Sequence, residues 1–330
     1  VITIDRTSLK VTPGKRASTY EMSLRIRSSL GGDHGIVLPS GAVMDKLEIN
    51  DRVLPTRFED GKLMLSLQPG VNRVNAGWRN EEGMGVLFQP AEILLEHEAV
   101  NNYITLDLSG NRWLLWAGGP AMGPAVRFWS LLAALLLISL ALGKTSLAPL
   151  KIHQWFLLGL GLSQLHVLGA AVVASWFLFL AWREKCDPLK MNVATFNLLQ
   201  TFLFCLSLLS LLLLLVAVNY GLLGAPNMYI AGNGSSDTYL QWYQERTENA
   251  LPSVWMVGVP VFVYRILVLI WALWLALAAL SWVKWGWSCF SSGSIWRKSE
   301  ETRFSKPARP TPPLPDPPAA KAPEKRSEET

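Results

Sequence analysis

Ile266–Trp287 reads ILVLIWALWLALAALSWVKWGW, and its first eighteen residues carry no charge. At about 1.5 Å per residue an uncharged run of that length covers roughly 27 Å, close to the hydrocarbon thickness of a bilayer. Lipid offers the backbone no hydrogen-bond partner, so such a run must be a helix. Lys284 with Trp282, Trp285 and Trp287 at its end suits the amphipathic headgroup layer. Three more apolar runs precede it, and a buried helix of a soluble protein is the weaker reading. The four runs lie at about 125–143, 155–182, 194–218 and 260–283.

The charge pattern agrees. Carboxylates are frequent up to Asp107, then absent until Glu184, and absent again between Asp187 and Asp237 and between Glu248 and Glu300. The formal net charge of +5 is therefore a membrane-protein asymmetry. A nucleic-acid partner would need a clustered basic face with interleaved aromatics, and none is readable. Cys186, Cys205 and Cys289 have no C-x-x-C spacing, so neither a zinc site nor a disulfide framework follows, and no cofactor is expected. The chain opens on Val1, and its first thirty residues contain no signal sequence. This reads as a fragment or a processed product.

Residues 1–119 follow a period of two. Thr19–Ser28 places Tyr20, Met22, Leu24 and Ile26 on one face and Glu21, Ser23, Arg25 and Arg27 on the other, a half-buried antiparallel strand. Lys62–Leu67 repeats the device, and Gln68-Pro69-Gly70 turns the chain into Val71–Trp78. Further short candidates separated by Gly, Pro, Asn and Asp predict a β-sandwich of about seven to ten strands. Trp78 and Arg79, near Asn72 and Asn75, are a candidate ligand platform for a sugar, with a core Trp78 as the simpler reading. His34 in a Gly-rich turn and His97 between two glutamates lack a second His or Cys at ligand spacing.

Residues 120–287 form the membrane part and 288–330 a tail. From Lys306 the tail is rich in proline and alternating charge, which predicts disorder with polyproline II stretches. Tyr239–Arg246, between the third and fourth runs, reads as a short helix lying on the bilayer surface. Arg183, Lys185 and Lys190, with Lys284, Arg297, Lys298 and Arg303, outnumber Lys144, Lys151 and Arg246, so the second connector and the tail are expected in the cytoplasm. Four crossings would put the β-rich part there as well, although the same architecture suits the outer side.

Polar groups inside a bilayer are functional candidates by default. Gln164, His166 and Arg265 form a candidate polar cluster. Counted back from the cytoplasmic ends, His166 and Arg265 lie roughly 24 and 26 Å up their helices, near the outer interface. Asn197 and Gln200 sit at the opposite end. The simpler reading is that Arg265 snorkels while Gln164 and His166 act as packing contacts. Ser163 with His166 is a poor hydrolytic pair, because both lie on one helix and no oxyanion donors accompany them.

Gly119-Pro120, Gly123-Pro124-Ala125-Val126, Trp155–Gly161, Tyr264-Arg265 and Trp271–Ala276 resemble the C-terminal part of large, uncharacterised bacterial envelope proteins. The resemblance covers the membrane half and implies no activity. The sequence thus predicts a multi-pass protein of the bacterial inner membrane, a β-sandwich joined to about four transmembrane helices. Its expected role is a non-enzymatic anchor or scaffold with lipid and envelope-protein partners. The alternatives are a transport subunit or channel built around Gln164, His166 and Arg265, and a membrane-tethered sugar- or peptide-binding domain.

Overall fold

The computed structural model describes residues 1–59, 61–108, 110–144, 150–187, 191–224 and 226–297. The chain begins with strands β1 (Ile2–Pro13), β2 (Ser18–Ser28), β3 (Gly32–Val37), β4 (Val43–Ile49), β5 (Arg52–Val53) and β6 (Phe58–Glu59). It continues with β7 (Lys62–Leu67), β8 (Gly70–Asn80), β9 (Leu87–Phe88), β10 (Ala99–Asp107), β11 (Arg112–Gly118) and β12 (Ala125–Val126). Helices α1 (Phe128–Lys144), α2 (Ile152–Leu162), α3 (Val167–Lys185) and α4 (Val193–Leu223) follow. The strands β13 (Ile230–Ala231), β14 (Tyr239–Thr247) and β15 (Trp255–Pro260) lead into α5 (Val261–Ser291).

The alternation in β2 gives the expected strand, with Tyr20, Met22, Leu24 and Ile26 at most 3% exposed. It lies in a seven-stranded sheet of order β14-β10-β1-β2-β8-β4-β5, antiparallel except where β1 and β10 run parallel. Two three-stranded sheets, β11-β15-β9 and β3-β7-β6, send Leu114, Met256, Ile36 and Leu65 into the same core as the large sheet. The part is sheet-rich as expected, but it is not confined to the N-terminal residues. Tyr239–Arg246 is strand β14 at the edge of the large sheet, not a surface helix. Leu240 and Trp242 are buried in the β core, and Tyr243 pairs with Tyr103 of β10. Their period of two outweighs the neighbouring apolar runs.

Among the described residues three helices, α3, α4 and α5, are long and apolar enough to cross a membrane; α1 and α2 have 17 and 11 residues. The run expected as one helix over 155–182 is two. Trp155 near the start of α2 stacks edge-on against Phe177 of α3 at 5.6 Å, whereas a continuous helix would hold them roughly 33 Å apart. The chain reverses at Ser163–His166. There Ser163 Oγ donates to the Leu160 carbonyl (2.6 Å) and the His166 ring accepts from the Leu168 N–H (3.4 Å), so these side chains serve the ends of α2 and α3. At its far end α5 continues to Ser291, past the expected boundary of the tail. The proline-rich stretch from Lys306 lies outside the described residues.

Candidate functional site

The β-rich part and the bundle meet where Pro260 ends β15 and Val261 opens α5 with no linker between them. Val261 donates its N–H to the Asn111 carbonyl (3.0 Å), which fixes the first turn of α5 beside the start of β11. Successive residues of a strand face opposite sides. Arg112 and Trp113 of β11 accordingly line different cavities, and so do the neighbouring Arg265 and Tyr264 of α5.

One cavity, about 300 Å³, is apolar and lined by Trp113, Phe128, Gly161, Gly221, Tyr264 and Trp271, with the Gln164 amide at its edge. Its walls are held by aromatic N–H groups. Trp271 Nε1 donates to the Leu157 carbonyl (2.8 Å), Trp129 Nε1 to the Leu115 carbonyl (2.9 Å), and Trp113 meets Tyr264 edge-on at 5.3 Å. Gly161 is required here, because a Cβ at that position would overlap the Trp271 ring. The other cavity, about 740 Å³, is basic and lined by Lys15, Arg112 and Arg265. The Arg112 guanidinium donates to the carbonyls of Met84 (2.6 Å), Gly85 (3.3 Å) and Gly258 (3.4 Å). Carbonyl dipoles fix its position without cancelling its charge. The first cavity suits an apolar chain, the second an anion.

Gln164, His166 and Arg265 all lie at the β-side ends of their helices but do not form one cluster. Gln164 Oε1 accepts from the Asn227 N–H (3.3 Å) beside the apolar cavity, His166 is exposed at the start of α3, and Arg265 lines the basic cavity. Ser163 and His166 each bond to backbone, so the hydrolytic pair does not form. Asn197 and Gln200 finish the distal end of α5: Gln200 Nε2 donates to the carbonyls of Phe290 and Ser294, and Asn197 exchanges two bonds with the Arg297 backbone.

The Trp78–Arg79 platform is not formed either. Trp78 is fully buried and stacks on Tyr20 at 5.3 Å, while Arg79, on the other face of β8, grips Asp45 at 2.9–3.2 Å. Asn72 is buried and locks the Gln68–Gly70 turn by bonds to Gln68 in both directions. His34 and His97, distant in the chain, stack at 4.8 Å beside Glu96, which is paired with Lys62. Burial, and then the neighbouring His97, push the His34 imidazole below its ordinary value. Lys15 and Arg112 carry no local signal as site residues; they reach Arg265 only through the course of β15 into α5.

No protein-family profile and no curated protein matches the chain. Among solved structures it is similar to an M1 zinc metallopeptidase from Deinococcus radiodurans, at 12% identity over 37% of this chain and 35% of that one, with a TM-score of 0.29. It is also similar to an aminopeptidase A from Legionella pneumophila (10% identity, 37% and 18% of the chains, TM-score 0.28) and to a leukotriene A4 hydrolase from Saccharomyces cerevisiae (8%, 36% and 24%, TM-score 0.25). The matches span about a third or less of the length of those proteins. The expectation that the chain is not an enzyme is corrected to this extent: the solved structures to which it is similar are enzymes. Likeness at this level carries no activity across. Among the described residues no three of His, Cys, Asp and Glu are grouped to hold a metal.

Proposed function

We propose that this chain anchors a partner-binding, β-rich domain on the extracytoplasmic face of the bacterial inner membrane, with the end of α5 in the cytoplasm. One observation carries the reading: β12 and β13 pair directly, Ala125 with Ala231 and Val126 with Ile230. Helices α1–α4 are thus an excursion that leaves the β-rich part and returns to it at one place, so they make an even number of crossings. The crossing by α5 then puts the two ends of the bundle on opposite sides. Lys144, Lys151, Arg183, Lys185, Lys284 and Arg297 lie toward the helix ends away from the strands, the bias expected of a cytoplasmic side.

The partner-binding role is supported by the solvent face of the large sheet. Arg6, Arg25 and Arg73 stand directly opposite one another on β1, β2 and β8. Like charges in cross-strand register destabilise a sheet, and an acidic partner would offset that cost. Reporter insertions test the sidedness: alkaline phosphatase at Gly234 should be active, and a fluorescent protein fused after Arg297 should fold in the cytoplasm. The opposite pattern sinks the reading. Replacing residues 127–229 by a two-residue Asn-Gly turn tests the role, because it would leave the β-rich domain on α5 alone. An anchor so shortened should restore the envelope integrity of a deletion strain, read as detergent resistance. Rescue by the full chain only would favour a transport function of the bundle.

A further inference from the structure

The basic cavity lies at the start of α5, where the helix leaves the β-rich part. Helix α5 exposes apolar side chains from its first turn, beginning with Phe262 at 69%, so the boundary between headgroups and hydrocarbon falls at that turn, beside Arg265. Arg265 and Lys15 are exposed, and neither is ion-paired with a described residue. No Asp or Glu is among the described residues that line the cavity. Three cations with no carboxylate among the described lining residues, one of them held by three carbonyls, make a seat for an anion.

What lies below the cations decides which anion. Phe262, Ile266, Leu269 and Leu273 follow one another at spacings of four, three and four along the same face of α5, and they are 69, 41, 51 and 62% exposed. This apolar stripe starts at the cavity and runs toward the middle of the bilayer. A free phosphate would use the cations alone, whereas a glycerophospholipid has charge above and chains beneath, in the same order as the site. We infer that the cavity formed by Lys15, Arg112 and Arg265 binds the phosphate of an anionic glycerophospholipid whose acyl chains lie along α5. The site clamps the β-rich domain to the membrane surface. It depends on the junction of β15 with α5 and is independent of which side of the membrane the domain occupies.

Native mass spectrometry of the full chain, released from nanodiscs of equal phosphatidylcholine and phosphatidylglycerol, tests the site. One phosphatidylglycerol should be retained in preference to phosphatidylcholine. Arg265→Gln and Lys15→Gln should each weaken retention about fivefold, the value of one cation near an anionic headgroup. Arg246→Gln, in a surface pair with Glu98 away from the cavity, should leave it unchanged. Millimolar inorganic phosphate should not displace the lipid. Equal retention of both lipids, unchanged retention in the two cavity variants, or displacement by phosphate overturns the proposal, the last by making this a free-anion site. Lys15 is on an exposed turn outside every helix and strand, so Lys15→Gln decides the matter even if Arg265→Gln fails to fold.

Discussion

The β-rich part and the helical bundle each have a core, and the two cores are held by different forces. In the first, Tyr20, Trp78, Leu65 and Trp242 leave water on folding, and the transfer of apolar surface drives the process. In the second, lipid tails are as apolar as the side chains they replace, so burial by itself gains little. Cohesion there comes from close fit and from polar contacts, such as Gly286 under Leu180, Trp176 Nε1 donating to Ser207 Oγ (2.8 Å) and Gln200 bonding to the end of α5. The same substitution should therefore cost different amounts in the two parts.

Replacing a buried tryptophan makes this comparison sharpest. Trp78→Ala should destabilise the β-rich part by about 3–5 kcal/mol, combining lost transfer energy with a cavity against Tyr20. Trp282→Ala, in the bundle core and edge-on to Phe177 at 5.2 Å, should cost roughly half of that or less, because only packing is lost. Hydrogen exchange of the full chain in nanodiscs, read at β8 for one variant and at α3 and α5 for the other, gives both numbers. Equal costs would mean that the bundle core is sealed from lipid and behaves like a soluble one.

Adding atoms should reverse the order of sensitivity. Gly161→Ala places a methyl group on the Trp271 ring, which its bond to the Leu157 carbonyl holds in place, and should cost the bundle about 1–3 kcal/mol. Gly77→Ala in β8 has no neighbour closer than 3.9 Å and should be nearly neutral. A tolerant Gly161 would show that the Trp271 ring can swing into the apolar cavity beside it. Thermal unfolding of the two variants in detergent separates these outcomes.

Much of this architecture was legible in the chain, and what was not has a physical reason. Strands with a strict period of two, such as β2 and β8, announce themselves, because one face is wet and the other dry. The same signal is present in Tyr239–Arg246, but apolar runs on either side suggested a bilayer surface, and only pairing with β10 shows the strand. An apolar run gives the length of a helical stretch but not its direction. The reversal between α2 and α3 is marked only by Ser163, Gln164 and His166, residue types that also occur within continuous helices as packing contacts. Arg265 stood out as a charge inside an apolar run. Its companions Lys15 and Arg112 did not, since nothing local distinguishes a basic residue on a surface turn.

Titration distinguishes the parts in another way, because the buried His34 imidazole belongs to the β-rich one. Burial lowers the His34 imidazole below its ordinary value of 6.5, with His97 adding to the effect and Glu96 opposing it. The unfolded chain then takes up a proton at a pH where the native one does not. Stability from this group is complete above about pH 6.5 and falls as the pH drops below it, by at most about 1.4 kcal/mol per pH unit. Amide protection in β3 and β7 should follow that slope, while protection in α5 stays level. His34→Phe should flatten it. A slope that persists in this variant would assign the titration to another group of the β-rich part.

The smallest effect concerns the outer face of the large sheet, where the β-rich part departs from the pattern of a sheet evolved for stability alone. Arg25 faces Arg6 on one side and Arg73 on the other, and Arg6 lies over the Tyr103 ring at 4.8 Å. Arg25→Thr removes two like-charge contacts and adds a residue suited to a strand, so it should stabilise the domain by roughly 0.2–1 kcal/mol. The same variant should bind an acidic polypeptide such as polyglutamate more weakly than the native chain, most clearly at low salt, where surface charges are least screened. A gain in stability with a loss of binding is what a surface kept for a partner predicts. A loss of both would mean that the arginines stabilise the sheet through their long apolar stems, and the row would then be explained by packing.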